Sequence, residues 1–331
     1  MLSLPQSPFE ILSDEHIAYQ SCLNLETVGD SWGTVVDETA IMFKFSPDIV
    51  ARVLGFGLIY PPSTQGRAYL ARDISACNDN SEFLAGLSYL YVMGVIRIFK
   101  PMPQPWSADS LLSEPSINAK KLALTRDNYR CILTGAVDVA SVDNDLTTAG
   151  ERMRCTALGH IFSESPTGNI VGLTDAAQEK LEWATSIAAV VQRFADISVV
   201  NVHSAQNTFT ITPDFHGLFY RLRISLHPIG LDDSNTYEVH TYPPNRNDLY
   251  GLPDRITLTD ATGGRIPLPS SRYFKVHDAC AKIAHFSGAG KVMEHIFQDV
   301  KDLKVLAEDG GSYLLSFAIS LRLQGMTLAY S

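Results

Sequence analysis

The sequence predicts an α+β protein, because helical and strand-like patterns both occur but do not alternate as regular βαβ units. In the helical segments apolar residues recur every three or four positions, and in the strand-like ones β-branched or alternating residues form short runs. The predicted helices lie at about 118–127, 176–195, 273–285 and 289–306. The predicted strands lie at about 33–41, 129–134, 152–161, 197–202, 208–212, 222–226 and 237–241.

The first hundred residues mix strand-like and helical stretches and contain no recognisable motif. They end in an apolar segment, 83–96, which is shorter than the roughly 20 residues that span a bilayer and suits a buried helix. Pro101, Pro103 and Pro105 then begin a polar stretch, which predicts a linker over 101–118.

The elements after the linker are predicted from local signals. The helix over 176–195 is indicated by a capping box, Asp175 with Gln178, and by apolar residues at spacings of four, three and four from Trp183 to Phe194. A polar, acidic loop is expected at 138–150. Pro213 follows Thr212 as the first residue of a helix follows its N-cap, and this predicts a short helix through His216. A last apolar segment covers 312–323.

The composition is globular and acidic. Of the 331 residues, 45% are apolar and 19% are charged, and 26 Lys and Arg against 36 Asp and Glu leave a formal net charge of −10. Residues 1–119 hold 6 basic and 13 acidic residues, whereas 120–228 hold 10 and 11. Because phosphate binding needs clustered Lys and Arg, nucleic acid is not expected as a partner.

The five cysteines are widely spaced and form no C-x-x-C pair, so neither a disulfide framework nor a zinc ribbon is predicted. Reduced thiols, the lack of a basic segment before an apolar one at the start, and the lack of a membrane span lead us to expect a cytoplasmic protein.

Three polar residues are the candidates for chemistry because of their spacing. His160 ends a predicted strand, Asn207 precedes another, and His216 lies in the first turn of the following helix. Two strands packed on a helix would direct both imidazoles into one cleft. There one histidine could act as a general base, Asn207 could brace the turn, and the other histidine could hold a cation. His203, four residues before Asn207, could face the same cleft. The alternative is that these are ordinary hydrogen-bonded core histidines.

The chain resembles the HNH (ββα-metal) nuclease superfamily, and within it a group of fungal HNH-domain proteins. The resemblance covers about residues 89–309 and is carried by His160, Asn207 and His216 together with several longer stretches. Those stretches are 119–124, 126–131, 134–135, 159–165, 235–239, 268–269 and 280–289. The resemblance implies an HNH-like core within a larger mixed α/β chain. The implied organisation is an N-terminal region at 1–100, a linker at 101–118, an HNH-like domain at 119–245 and a helical extension packed on it at 246–331.

Two positions depart from the nuclease pattern. Nucleases of the superfamily usually carry an acidic residue or a histidine before the first histidine, whereas this chain has Gly159. Many carry another ligand one turn after the helix histidine, and this chain has Tyr220, whose phenol ordinarily titrates near 10. Catalytic Zn²⁺ typically takes three protein ligands and Mg²⁺ prefers carboxylates, so the metal site is interpreted as lost.

Three functions remain open at this point. The favoured hypothesis is a cofactor-free cyclase or isomerase of fungal secondary metabolism, for example one that catalyses a Diels–Alder cyclisation. An apolar pocket would orient a small, mostly apolar substrate, and His160, Asn207, His216 and Tyr220 are the predicted site residues. The alternatives are a metal-dependent HNH endonuclease, which would need a divalent cation and act in the nucleus, and a non-catalytic binding or scaffold protein. The sequence names neither a substrate nor an oligomeric state.

Overall fold

The prediction of a mixed α+β protein is confirmed by the computed structural model. The structure describes residues 2–27, 46–92, 96, 99, 114–144, 150–151, 153–162, 189–190, 192–197, 200–230 and 234–294. The chain divides into two compact units, each built from separate stretches of sequence. Unit 1 comprises 1–98, 166–199 and 282–331, and unit 2 comprises 99–165 and 200–281.

The described part of unit 1 is helical. Its N-terminal elements are α1 (Asp14–Thr27), α2 (Pro47–Ile59), α3 (Thr64–Ala76) and α4 (Ser81–Tyr91). Helix α2 starts at a proline, which fits the first helical position, and buries an almost wholly apolar sequence. The side chains of Ser63 and Asn80 accept hydrogen bonds from backbone N–H groups in the first turns of α3 and α4 and so cap them. The apolar segment predicted at 83–96 therefore lies largely in α4, where most of its described residues are buried.

The described part of unit 2 combines helices with three small sheets. In chain order it contains α5 (Glu114–Arg126), β1 (Val137–Asp138), β2 (Met153–Arg154), β3 (Ala157–His160), β4 (Thr208–Ile211), α6 (Pro213–Tyr220), β5 (Ile224–Ile229), β6 (Thr236–Thr241), α7 (Asn247–Tyr250) and β7 (Arg255–Thr257). A long helix, α8 (Ser271–Ser287), follows, and its residues up to 281 belong to unit 2.

Strands β3 and β4 pair antiparallel, and β4 leads directly into α6. Their register places Ala157 opposite Ile211 and His160 opposite Thr208. Thr212 precedes α6 with extended backbone and Pro213 begins the helix, so the helix start that the sequence predicts is confirmed. The helix is longer than predicted and ends at Tyr220, which brings Tyr220 onto the same helix as His216.

The last three strands form one antiparallel sheet in the order β5-β6-β7. The predicted pairing of 222–226 with 237–241 is confirmed, with Ile224 opposite Thr241 and Leu226 opposite Val239, although β5 begins at Ile224 and continues to Ile229. The helix predicted at 273–285 is also confirmed, as α8. Helical structure is present again at 289–294, where the described residues end.

Four local predictions are wrong. The segment 129–134 is mostly turn, with a single bridge from Arg130 to Val137 instead of a strand. The described residues of 197–202 are not a strand, because they form the irregular approach to the turn before Asn207. The loop expected at 138–150 contains a 3₁₀ helix at Val139–Asn144. Helix α5 starts at Glu114, whereas the helix was predicted to start at about residue 118.

Several predictions fall on residues outside the described part of the chain. They are the strand at 33–41, the linker at 101–113, most of the helix at 176–195, the end of the helix at 289–306 and the apolar segment at 312–323. The domain limits at 100, 118 and 245 stay predictions. Within the described ranges, no helix combines the length and the apolar character that crossing a membrane requires.

Candidate active site

His160 lies at the end of β3, where a tyrosine hydroxyl contacts it twice. The Tyr220 Oη atom is 3.2 Å from the His160 backbone nitrogen, which donates a hydrogen bond to it, and 3.3 Å from the ring atom Nδ1. Tyr220 reaches this position because α6 begins two residues after β4, the strand paired with β3. The strand pair and the helix therefore fix the imidazole and the phenol against each other.

The other ring nitrogen of His160 contacts a second histidine. His160 Nε2 lies 3.4 Å from His203 Nδ1, and the ring centroids are 5.4 Å apart at an angle of 70°. His203 precedes a 3₁₀ turn, Ala205–Asn207, and its backbone N–H donates to the Asn201 side chain. Tyr220, His160 and His203 thus form a continuous chain of polar contacts, which we call the Tyr220–His160–His203 chain.

His216 joins this group through Tyr220. The His216 and Tyr220 rings, one turn apart on α6, have centroids 4.2 Å apart, and the His216 side chain makes a hydrogen bond with the Leu158 backbone. Three of the four predicted site residues, His160, His216 and Tyr220, therefore come together. His203 belongs with them, and its spacing of four residues from Asn207 was the only sequence signal for it.

Asn207 has a different position, because its side chain is fully buried beneath the turn. Its Oδ1 accepts a hydrogen bond of 2.9 Å from the Phe162 backbone N–H, and its Nδ2 donates to the carbonyls of Phe162 at 3.0 Å and Val202 at 2.8 Å. The amide thus ties the end of β3 to the segment that carries His203. It positions the site and does not contact the imidazoles in any of these bonds.

A buried arginine also supports this turn, and no role was predicted for it from the sequence. Arg126, at the end of α5, pairs with Asp127 at 2.7 Å. Its guanidinium also donates to the backbone carbonyls of Ala205, Thr208 and Pro267. Arg126 lies within the 126–131 stretch that resembles the HNH group, and that resemblance was the only signal for it.

The surroundings of the site hold His160, His216 and the Tyr220 phenol in their neutral forms at neutral pH. Burial, with the nearby His203 and His216, lowers the pKa of His160 from 6.5 to about 4. Burial also lowers the pKa of His216, against an opposing effect of its hydrogen bond to Leu158. Burial raises the pKa of the Tyr220 phenol above its ordinary range, in spite of the hydrogen bond from the His160 N–H.

The lowered pKa of His160 predicts that the fold loses stability in mild acid. The unfolded chain binds a proton on this ring near pH 6.5, and the folded chain only near pH 4. The contribution of His160 to the free energy of unfolding is therefore complete above about pH 6.5 and is lost as the pH falls toward 4. We expect His160→Gln to reduce the loss between pH 7 and pH 4.5 by about 2 kcal/mol, as measured by urea denaturation at both values. Equal losses in variant and wild type would contradict the expectation.

Gly159 is held against an aromatic ring, so the position lacks room for a side chain. It lies opposite Phe209 in the strand pair, and a Cβ atom placed on it would come within 2.6 Å of the Phe209 ring. Phe209 is fully buried and packs edge-to-face on Phe219 of α6, with centroids 5.1 Å apart. A ligand side chain at residue 159 would therefore require this aromatic packing to move.

No family model, curated protein or solved structure matches the protein, so the chemistry of the site has to be derived from its own residues.

Two proton arrangements fit the polar contacts between Tyr220, His160 and His203. In one, the Tyr220 hydroxyl donates to His160 Nδ1 and His160 Nε2–H donates to His203. In the other, His203 Nδ1–H donates to His160 Nε2, and His160 Nδ1–H donates to the Tyr220 oxygen. A chain that accepts both arrangements can pass a proton from one end to the other.

A group of side chains that could hold a metal ion lies elsewhere in unit 2. Among the residues that the structure describes, one group of three histidine, cysteine or carboxylate side chains has its ligand atoms within 4.8 Å of one another. Its members are His227, His240 and Asp278, for which no role was predicted from the sequence. They are far apart in sequence and follow no spacing that marks a ligand set.

Proposed function

We propose that the protein is a metal-independent enzyme that acts on a small, mostly apolar substrate, as a cyclase or isomerase. The observation that carries the proposal is the Tyr220–His160–His203 chain, with distances of 3.3 and 3.4 Å between the successive polar atoms. Such a chain supplies general acid–base catalysis, which contributes roughly 10²- to 10⁴-fold to a rate.

The proposed role of the Tyr220–His160–His203 chain is to move one proton. The Tyr220 oxygen takes a proton from the substrate while its own proton passes to His160 Nδ1. The proton on His160 Nε2 passes to His203 Nδ1, and His203 releases its Nε2 proton to water. The reverse sequence returns a proton to another substrate atom, so an isomerisation leaves the enzyme unchanged. In a cyclisation without net proton transfer, the Tyr220 hydroxyl would donate a hydrogen bond to a substrate carbonyl.

The packing around Gly159 supports a reaction without a metal at this site. The position where nucleases of the HNH superfamily usually carry a ligand faces Phe209, with 2.6 Å from a would-be Cβ to the ring. The second such position is Tyr220, whose pKa is raised by burial, so the phenol stays protonated and is a weak ligand. His216 makes its hydrogen bond with Leu158 instead.

The paired strands followed by α6, with Asn207 bracing the turn between them, support a relationship to the HNH superfamily. The proposal is therefore an HNH-like core that has been recruited for small-molecule chemistry. Its most concrete form is a pericyclic reaction, such as a Diels–Alder cyclisation, in fungal secondary metabolism. The net charge of −10 supports this reading, since it disfavours polyphosphate substrates.

The same arrangement also favours a second candidate, a metal-dependent HNH endonuclease. His160 on a strand and His216 on the following helix are the residue types that a nuclease of this superfamily uses. In that case a divalent cation would bind near His216, with His160 as general base. This candidate requires that Phe209 give way or that water supply the missing ligands.

The proposal is tested by a product whose mass equals that of its substrate. Purified protein would be incubated with a small-molecule extract of the producing organism in the presence of a chelator. The compounds would then be separated by liquid chromatography and their masses measured by mass spectrometry. We expect wild-type protein to convert one compound into an isomer with a new retention time. Tyr220→Phe and His160→Gln should each slow its appearance by about 100-fold.

The control variant is Gln206→Ala, which changes an exposed side chain within the turn Ala205–Asn207 and should act like wild type. A parallel incubation with plasmid DNA and Mg²⁺, Mn²⁺, Ni²⁺ or Zn²⁺ should leave the DNA intact. Cleavage that is lost in His160→Ala would falsify the proposal in favour of the nuclease. If neither an isomer nor DNA cleavage is observed, the result favours the binding or scaffold protein.

A further inference from the structure

Two histidines share one face of the three-stranded sheet because of strand alternation. His227 lies two residues after Ser225 in β5, and His240 lies two residues after Glu238 in β6. Ser225 pairs with His240 and His227 pairs with Glu238, so these four side chains lie on the same face. The two imidazole rings are nearly parallel, with centroids 5.4 Å apart and an angle of 21°.

A buried carboxylate from α8 meets both rings. Asp278 Oδ2 lies 2.9 Å from His227 Nδ1, and Asp278 Oδ1 lies 2.9 Å from His240 Nδ1. The Asp278 side chain is 3% exposed, whereas the side chains of His227 and His240 are 36% and 30% exposed. The three side chains therefore converge at a place where the carboxylate is enclosed and the imidazoles are open to solvent.

We propose that His227, His240 and Asp278 bind a divalent transition-metal ion of the zinc type. Two imidazole nitrogens and one carboxylate suit Zn²⁺, Co²⁺, Ni²⁺ or Fe²⁺ better than Mg²⁺ or Ca²⁺, which prefer oxygen ligands. Three protein ligands leave a coordination position for water, as in catalytic zinc sites, and the partly exposed imidazoles lie on the side from which water can reach it. The ion also compensates the charge of a buried carboxylate.

Neighbouring side chains orient these ligands. Ser225 Oγ donates a hydrogen bond of 2.6 Å to Asp278 Oδ1, and the Tyr242 hydroxyl lies 3.5 Å from the same oxygen. On the far side of its ring, His240 Nε2 lies 3.7 Å from Glu238 Oε2. A carboxylate beside the outer nitrogen of a coordinating histidine favours the tautomer whose inner nitrogen is free to bind a metal.

The competing explanation is a structural cluster without an ion, in which each Nδ1–H donates to the carboxylate. The two explanations differ in what zinc does to the full-length protein. After chelator treatment and dialysis, we expect isothermal titration with ZnCl₂ alone to show one saturable site, and MgCl₂ to show none. Bound Zn²⁺ should also raise the thermal midpoint of unfolding.

The variants separate this site from the proposed active site. His240→Gln and Asp278→Asn should weaken zinc binding by more than roughly 100-fold, and Ser225→Ala, which removes a hydrogen bond to the ligand, by roughly 10-fold. His203→Gln, which removes an imidazole of the Tyr220–His160–His203 chain, should bind zinc like wild type. Because Asp278 is buried, Asp278→Asn could misfold. The decisive variant is therefore His240→Gln, at a partly exposed residue, and circular dichroism of each protein checks that it is folded.

Absence of saturable zinc binding by the wild-type protein would overturn the inference, and so would binding that His240→Gln leaves unchanged. Zinc binding that His203→Gln or His160→Gln abolishes, with His240→Gln unaffected, would place the ion at the proposed active site. That result would contradict both proposals. The outcome of the isomer assay bears on the active site alone, because it is run with a chelator present.

Discussion

Replacing Arg126 by methionine is expected to destabilise the protein by about 3–5 kcal/mol, the largest effect of any single change considered. The guanidinium is fully buried and pairs with Asp127, so its loss leaves a carboxylate in the interior without this cation. The carbonyls of Ala205, Thr208 and Pro267 also lose a donor. Urea denaturation followed by circular dichroism would measure the loss.

A matched control is Arg130→Met, four residues further on. Arg130 pairs with Glu151 at 2.6 Å, but the two side chains are 33% and 24% exposed, so water already screens the pair. We expect a loss of about 1 kcal/mol or less. Adding Asp127→Asn to Arg126→Met should recover part of the stability, because it removes the buried charge and keeps an oxygen for the Thr210 N–H. Similar losses for the two arginines would show that burial of Arg126 is not what matters.

Asn207→Ala is expected to cost about 3 kcal/mol and to lower the activity of the site as well. The substitution leaves the Phe162 N–H and the carbonyls of Phe162 and Val202 without the amide, and a buried polar group without a partner costs about 1–3 kcal/mol. Thermal and urea unfolding would measure the first effect, and the rate of isomer formation at a temperature where the variant is folded would measure the second.

Asn207→Asp gives a sharper version of this test. Aspartate keeps an acceptor for the Phe162 N–H but brings a carboxylate oxygen against two carbonyl oxygens, so it should destabilise at least as much as alanine. Gln206→Ala, at the exposed neighbouring residue, should stay within about 0.5 kcal/mol of wild type. A well-folded, fully stable Asn207→Asp protein would mean that the two carbonyls find other donors.

The elements that the sequence predicted well are those with a local physical signal. Pro213 after Thr212 marked the start of α6, and alternation marked β5 and β6. The strand expected at 129–134 failed because left-handed backbone at Asn128 and Tyr129 turns the chain and Cys131 bonds back to Ala136 within a tight loop. The Arg126–Asp127 pair just before this turn bonds to residues 205–210, far along the chain, and a window of neighbouring residues does not contain these contacts.

The candidate site, too, was predicted where the signal is local and missed where distant contacts set the structure. His160, His216 and Tyr220 were identified from spacing and resemblance, because one strand pair and the next helix place them together. His227, His240 and Asp278 gave no signal, since their approach depends on the register of two strands and on where α8 lies. Long-range packing of this kind has no counterpart in a one-dimensional pattern.

The discontinuous make-up of unit 1 has a consequence for the order in which the chain can fold during synthesis. Helices α1 to α4 leave the ribosome before unit 2 does. Phe286, whose carbonyl accepts from the Leu2 N–H and whose ring packs on Phe56 and Tyr60, is made much later. All of unit 2 has been translated by then. Helices α1 to α4 therefore wait for these contacts until unit 2 has been made, and the apolar α2 stays accessible to chaperones until then.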